Sequence, residues 1–132
     1  MIGGIVLKKR NCDRFSIPGT TIYYKDKPGL FIKHNYSDHY YPVINMSKGG
    51  AQFLCNERLK AGKKIIVKIK VPGINQKPEI LANIRWISKN PEQSYQYQTG
   101  IAFNSYGNKK NENPAEILTF LESLELKEKT DK

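Results

Sequence analysis

Arg10 and Arg14 stand close together in the stretch KKRNCDR (Lys8 to Arg14), and they are half of the arginines in a chain with 22 basic residues. The other two, Arg58 and Arg85, lie far downstream. Lysine suffices for solvated charge. Arginine adds a rigid planar fork that matches phosphate oxygens and a flat face that stacks on aromatic rings. An Arg-x-x-x-Arg pair therefore suits an anionic partner that carries rings. A second cluster, NMSKGG, sets Asn45, Ser47 and Gly50 in an Asn-x-Ser-x-x-Gly pattern where one extended segment ends and the next begins. The Asn45 amide can both donate and accept, and Ser47 adds a hydroxyl of either polarity. Gly49 and Gly50 remove side chains where a flat group must approach the backbone, and they permit positive φ at the junction. Lys9, directly before Arg10, supplies a further cation.

Other reactive residue types do not combine into chemistry. Cys12 and Cys55 occur in unlike contexts and form no disulfide framework, so a reduced, cytoplasmic setting is expected. Cys55 ends an apolar run and reads as a buried small hydrophobe. With His34 and His39 the two cysteines offer enough donors for zinc, but their spacing matches no compact Cys/His motif, and no metal or cofactor is expected. Ser37, Asp38 and His39 are adjacent in sequence, whereas a catalytic triad is assembled in space. No nucleophile, carboxylate pair or phosphate loop stands out. The expectation is a binding protein and not an enzyme.

The elements that must position these residues are mostly strands. At 132 residues the chain is one domain, long enough for a core without disulfides. Phe15 to Lys25 reads as a strand interrupted near Pro18-Gly19. Strands follow through Tyr41 to Asn45 and through GGAQFLC. In KKIIVKIKV, Ile65, Val67, Ile69 and Val71 alternate with Lys64, Lys68 and Lys70, the period of a half-buried strand. KPEILANIRWIS and YQYQTGIAF supply two more, and Trp86 reads as packing for them. Six strands at short spacing predict an all-β, antiparallel barrel or sandwich. The end differs: Asn113 reads as a helix N-cap, with Pro114 at the first position and Glu116 three residues on. Ile117, Leu118, Leu121 and Leu124 recur at helical spacing, so an amphipathic helix over 113–126 is expected.

A formal charge of +10 and a pI of about 9.6 favour anionic partners: nucleotide, nucleic acid or an acidic surface. The opening run MIGGIVL has no basic residue before it and no small-residue cleavage site, and no apolar stretch is long enough to span a bilayer. Tyr23, Tyr24, Tyr40, Tyr41, Tyr95 and Tyr97, interleaved with lysines, leave open a barrel that stacks single-stranded bases.

The two motifs together, in this order and followed by strands that end in YQTGIAF, carry a resemblance. The sequence resembles the PilZ domain family of bacterial receptors for cyclic di-GMP, from Lys8 to about Tyr106. Arg10, Arg14, Asn45, Ser47 and Gly50 match the family's Arg-x-x-x-Arg and Asp/Asn-x-Ser-x-x-Gly positions one by one. The spacing from Arg14 to Asn45, with KHNYSDHYY between them, is on the long side for the family. The resemblance implies a small six-stranded antiparallel β-barrel of the PilZ-like split-barrel kind over residues 15–106. It also implies a flexible lead-in over 1–14 that carries the arginines, and a helix as a C-terminal addition. The implied ligand is cyclic di-GMP, held by Lys9, Arg10, Arg14, Asn45, Ser47, Gly49 and Gly50. Lys9 would favour a more highly charged form such as an intercalated dimer. Ligand-dependent ordering of the lead-in would then alter contacts with an unidentified downstream protein. The alternatives are the nucleic-acid barrel and a PilZ-like protein-interaction module that binds no ligand.

Overall fold

Alternation in the sequence becomes sidedness in the structure. This computed structural model describes residues 13–26, 40–92 and 94–130. In β4 (Lys64–Lys70), Ile65, Val67 and Ile69 are at most 1% exposed while Lys64 and Lys70 face solvent. The other strands are β1 (Thr21–Asp26), β2 (Tyr41–Ser47), β3 (Gly50–Cys55), β5 (Glu79–Lys89) and β6 (Tyr97–Phe103). All neighbours are antiparallel, and the order β1-β2-β3-β6-β5-β4 closes into a barrel. Closure leaves no sheet edge open.

The seams are unequal. β1 pairs with β4 along its whole length, from Thr21↔Lys70 to Asp26↔Ile65. Against β2 it pairs only at Thr21↔Pro42 and Ile22↔Tyr41, extended by the Val43 amide donating to the Thr20 carbonyl (3.0 Å). Pro42 has no N–H to give, so it is tolerated where the ladder is shortest. Two register shifts re-aim side chains, one between Val43 and Asn45 and one between Ile84 and Trp86. The second turns Trp86 to the outside. The sequence reads it as packing, yet it is 37% exposed, because one extra residue in β5 moves all that follows to the other face.

Inside lie Ile22, Tyr24, Met46, Phe53, Ile80, Ile84 and Ile101 with the β4 residues, all 5% exposed or less. The helix α1 (Ala115–Thr130) joins the same core through Ile117, Leu121 and Leu124. Its start is fixed beside β5 and its middle lies near the β2–β3 turn, where the Lys48 ammonium is 3.9 Å from the Glu122 carboxylate. At 16 residues it is about 24 Å long, enough to cross the barrel mouth between these points.

Two details of α1 differ from the sequence reading of 113–126. The helix continues to Thr130, where a Glu125–Lys129 ion pair (3.2 Å) and the Thr130 hydroxyl on the Leu126 carbonyl carry it through the charged end. Asn113, read as the N-cap, is fully buried with its carboxamide turned to the barrel. Its oxygen accepts from the Leu81 amide (2.8 Å), and its NH2 donates to the carbonyls of Leu81 (3.0 Å) and Asn104 (3.1 Å). A buried carboxamide needs such partners, and a strand backbone supplies donor and acceptor together. Asn113→Ala is therefore expected to cost about 3 kcal/mol in chemical denaturation, since it strands backbone groups of both Leu81 and Asn104. A loss of about 1 kcal/mol, the usual worth of a cap, would return the residue to that lesser role.

Candidate functional site

The arginine motif reaches the barrel through one bridge. Phe15 and Met46 exchange backbone hydrogen bonds of 2.8 and 2.9 Å, and their side chains are 6% and 1% exposed. With Phe15 inside, Arg14 is left exposed at the surface beside β2. Its guanidinium donates to the Asn45 side-chain oxygen at 3.0 Å. Ser16 adds a hydroxyl bond to the Ile44 carbonyl (2.7 Å), next to the register shift in β2. Two motifs 31 residues apart thus meet in one contact. Arg14, Phe15, Ser16, Asn45 and Glu128 line an open groove at this point.

The rest of the second motif builds the hairpin beneath. Ser47 is buried and its hydroxyl accepts from the Gly49 amide (3.0 Å), which fixes the turn. The Tyr106 hydroxyl donates to the Lys48 carbonyl and holds the same turn from the other side. Gly50 pairs with Ser47 and Ala102, and any Cβ there would collide with the Ile101 carbonyl oxygen. The sequence reading that Gly49 and Gly50 supply positive φ is corrected: the described glycines with positive φ are Gly19, Gly62 and Gly73. Gly50 is needed for the close approach of β6. Lys9 and Arg10 lie outside the described residues, as do Cys12, His34, Ser37, Asp38 and His39.

The strand register carries the surface further than the motifs do. Asn45 pairs with Gln52, Gln52 with Gly100, and Gly100 with Trp86, a continuous outer row across β2, β3, β6 and β5. The Asn45 amide nitrogen lies 3.4 Å from the Gln52 side-chain oxygen. The Trp86 indole lies on Gly100, where a Cβ would collide with the ring. Gln52 follows from the hairpin register once Ser47 and Gly50 are paired, but neither Trp86 nor Glu128 carries a local signal. Chemically the row offers a guanidinium, two carboxamides, a bare backbone and an aromatic face.

Elsewhere among the described residues, Cys55 and Tyr24 are occupied. Burial, with a smaller opposing effect from its Thr99 and Glu57 partners, pushes the Cys55 thiol up from its ordinary value, so it stays protonated and inert. Burial and the Glu57 carboxylate that accepts its hydroxyl push the Tyr24 phenol far up. Tyr24 stacks on Tyr41 (centroids 5.9 Å apart), Tyr41 meets Tyr95 edge-on and Tyr23 meets Tyr40, so these rings serve cross-strand packing. Among the described residues no three His, Cys, Asp or Glu side chains gather as a metal site, and no helix is long and apolar enough to cross a membrane.

The model of the PilZ domain family matches residues 8–120, most of the chain. The chain belongs to the PilZ domain family. Its PilZ barrel superposes on the PilZ domain of YcgR from Escherichia coli, solved with c-di-GMP, at a TM-score of 0.60 and 18% identity, covering 94% of this chain and 98% of that one. It is also similar to the inhibitor of motility MotI/DgrA of Bacillus subtilis, at a TM-score of 0.62 and 16% identity. That likeness covers 93% of this chain and 52% of the other, so the PilZ chain spans about half the length of the Bacillus protein. Among curated proteins no sequence match is found. At these identities the two structures establish the shared six-stranded barrel with its C-terminal helix.

The Trp86–Gly100 contact gives the outer row a direct probe, because Trp86 is the chain's single tryptophan. Gly100→Ala is expected to lift the indole into water and move its fluorescence maximum to the red while circular dichroism stays that of a β-barrel. An unchanged maximum would mean that the indole does not rest on β6 in solution.

Proposed function

We propose that this PilZ domain is a receptor for cyclic di-GMP, acting by binding and without chemistry of its own. The observation that carries the reading is the Arg14–Asn45 contact, which joins the two motifs over the β2–β3 hairpin. Family membership and the ligand present in the YcgR structure support it. Cyclic di-GMP has two phosphodiesters and two guanines. Arg14 and Arg10 would fork onto phosphate oxygens or the guanine O6/N7 edge. Asn45 and Gln52 offer amides to base edges, and Lys9 adds charge for a second ligand molecule. Ser47 and Gly50 act beneath the ligand by shaping the hairpin, and Gly49 gives it an exposed backbone. The outer row supplies flat floor for a base, ending on the half-open face of Trp86.

The magnitudes suffice. Micromolar affinity takes about 8 kcal/mol, charge-assisted hydrogen bonds give about 1.5–3 kcal/mol each, and base stacking about 1–3. Signalling would follow from ordering of residues 8–14 around the ligand, which alters the surface shown to a downstream protein. We place the protein in the cytoplasm, where such a ligand is made and the two cysteines stay reduced. The nucleic-acid alternative loses weight because the tyrosines that would stack bases pack on one another.

Calorimetric titration of cyclic di-GMP should show micromolar or tighter binding, weakened at least about tenfold by Arg10→Ala and by Arg14→Ala. No heat at high concentration of folded protein would overturn the receptor reading. Amide exchange tests the ordering step separately: residues 8–14 should gain protection with ligand, and equal protection in both states would remove that mechanism while leaving binding intact.

A further inference from the structure

Hydrogen-bond direction along the outer row starts from a group that has no choice. The Arg14 guanidinium carries N–H donors and no acceptor. Its bond to Asn45 (3.0 Å) therefore takes the oxygen of that carboxamide. The Asn45 NH2 then points along the row and donates to the side-chain oxygen of Gln52 at 3.4 Å. The Gln52 NH2 ends the chain. Gln52 itself is half-buried, held between Ala51 and Phe53, which point into the core, and it stands opposite Gly100 in the register of β3 with β6.

Each carboxamide oxygen in this relay is taken by the donor before it. What remains to the three side chains is predominantly N–H: the other guanidinium hydrogens, the second Asn45 amide hydrogen and the Gln52 NH2. The purines differ in this respect. Guanine sets two acceptors, O6 and N7, side by side, whereas adenine sets the N7 acceptor beside an N6 donor. A glutamine left to itself suits adenine, because its amide can donate to N7 and accept from N6 together. Here the oxygen is engaged by Asn45, and that pairing is lost.

We propose that Gln52 is a specificity-determining residue of the PilZ site, selecting guanine over adenine in the bound cyclic dinucleotide. The inference rests on the receptor reading of the row. Arg14 fixes the direction of the Asn45 amide, and Asn45 fixes that of Gln52. A guanine edge reaching Gln52 meets donors with acceptors. An adenine edge brings its N6 hydrogens against those of the amide, and the unpaired donors make that complex weaker.

The test is calorimetric titration of cyclic di-GMP into the full chain, wild type beside Gln52→Leu, with cyclic di-AMP measured by its displacement of bound cyclic di-GMP. Circular dichroism confirms the barrel in both proteins. The wild type should favour cyclic di-GMP, and Gln52→Leu should narrow that preference about tenfold, the scale of one base-edge contact. The narrowing comes from weaker cyclic di-GMP binding while cyclic di-AMP is held no less well. Equal weakening of both ligands would make Gln52 a general contact and overturn the proposal, as would an unchanged ratio. Failure of cyclic di-AMP to compete for either protein would place the selection elsewhere and also overturn it. No heat from cyclic di-GMP with folded wild type would overturn the receptor reading itself, and this proposal with it.

Discussion

Two reciprocal backbone hydrogen bonds between Phe15 and Met46 hold the candidate site together. At the bridge, Phe15 enters the core, Arg14 turns outward, and the guanidinium meets Asn45. Burying the phenyl ring contributes about 1.5–3 kcal/mol and the two hydrogen bonds about 1 kcal/mol each. Fixing each backbone residue costs about 1–2 kcal/mol. The gain is of the same size as the cost for the few residues at the bridge, so one aromatic anchor offsets the local ordering of the chain. Met46 is the necessary partner, because it presents its backbone to Phe15 on one side and to Ala51 on the other.

The barrel then does two jobs with one set of strands. Its inner face is apolar, aliphatic with Phe15, Tyr24, Phe53 and Phe103 among it, and closes on itself, with α1 joining the same core. Its outer face across β2, β3, β6 and β5 carries the polar row from Asn45 to Trp86. Glycine appears on that face where something must come close: the Ile101 carbonyl at Gly50 and the indole at Gly100. A surface built from paired strands moves little, which places its side chains more precisely than loops would.

What the sequence made legible was whatever depends on near neighbours. The alternation from Lys64 to Val71 declares a half-buried strand because both faces are written within a few residues. The apolar spacing of α1 does the same at period 3.6. Of the two motifs, which the residue types linked as a pair, Arg14 and Asn45 do meet. Asn113 was misjudged because the partner that outcompetes its capping role, Leu81, lies 32 residues away. Gly50 was assigned a local reason, backbone freedom, when its reason is a carbonyl on β6. Trp86 pointed inward by simple alternation and outward once a register shift intervened.

The short seam between β1 and β2 has an evolutionary consequence. β1 ends at Asp26 and β2 begins at Tyr41, and the two pair only at Thr21↔Pro42 and Ile22↔Tyr41. The Arg14–Asn45 contact is set on the far side of that seam, by the Phe15–Met46 bridge. Lengthening a loop costs little, since closure entropy grows only as the logarithm of its length. The connection can therefore gain or lose residues without moving either motif, and relatives can differ in that stretch while keeping the same pairing beneath. The interval between the arginine and asparagine motifs thus contains β1 and the Phe15–Met46 bridge, and its length does not by itself decide where Arg14 and Asn45 meet.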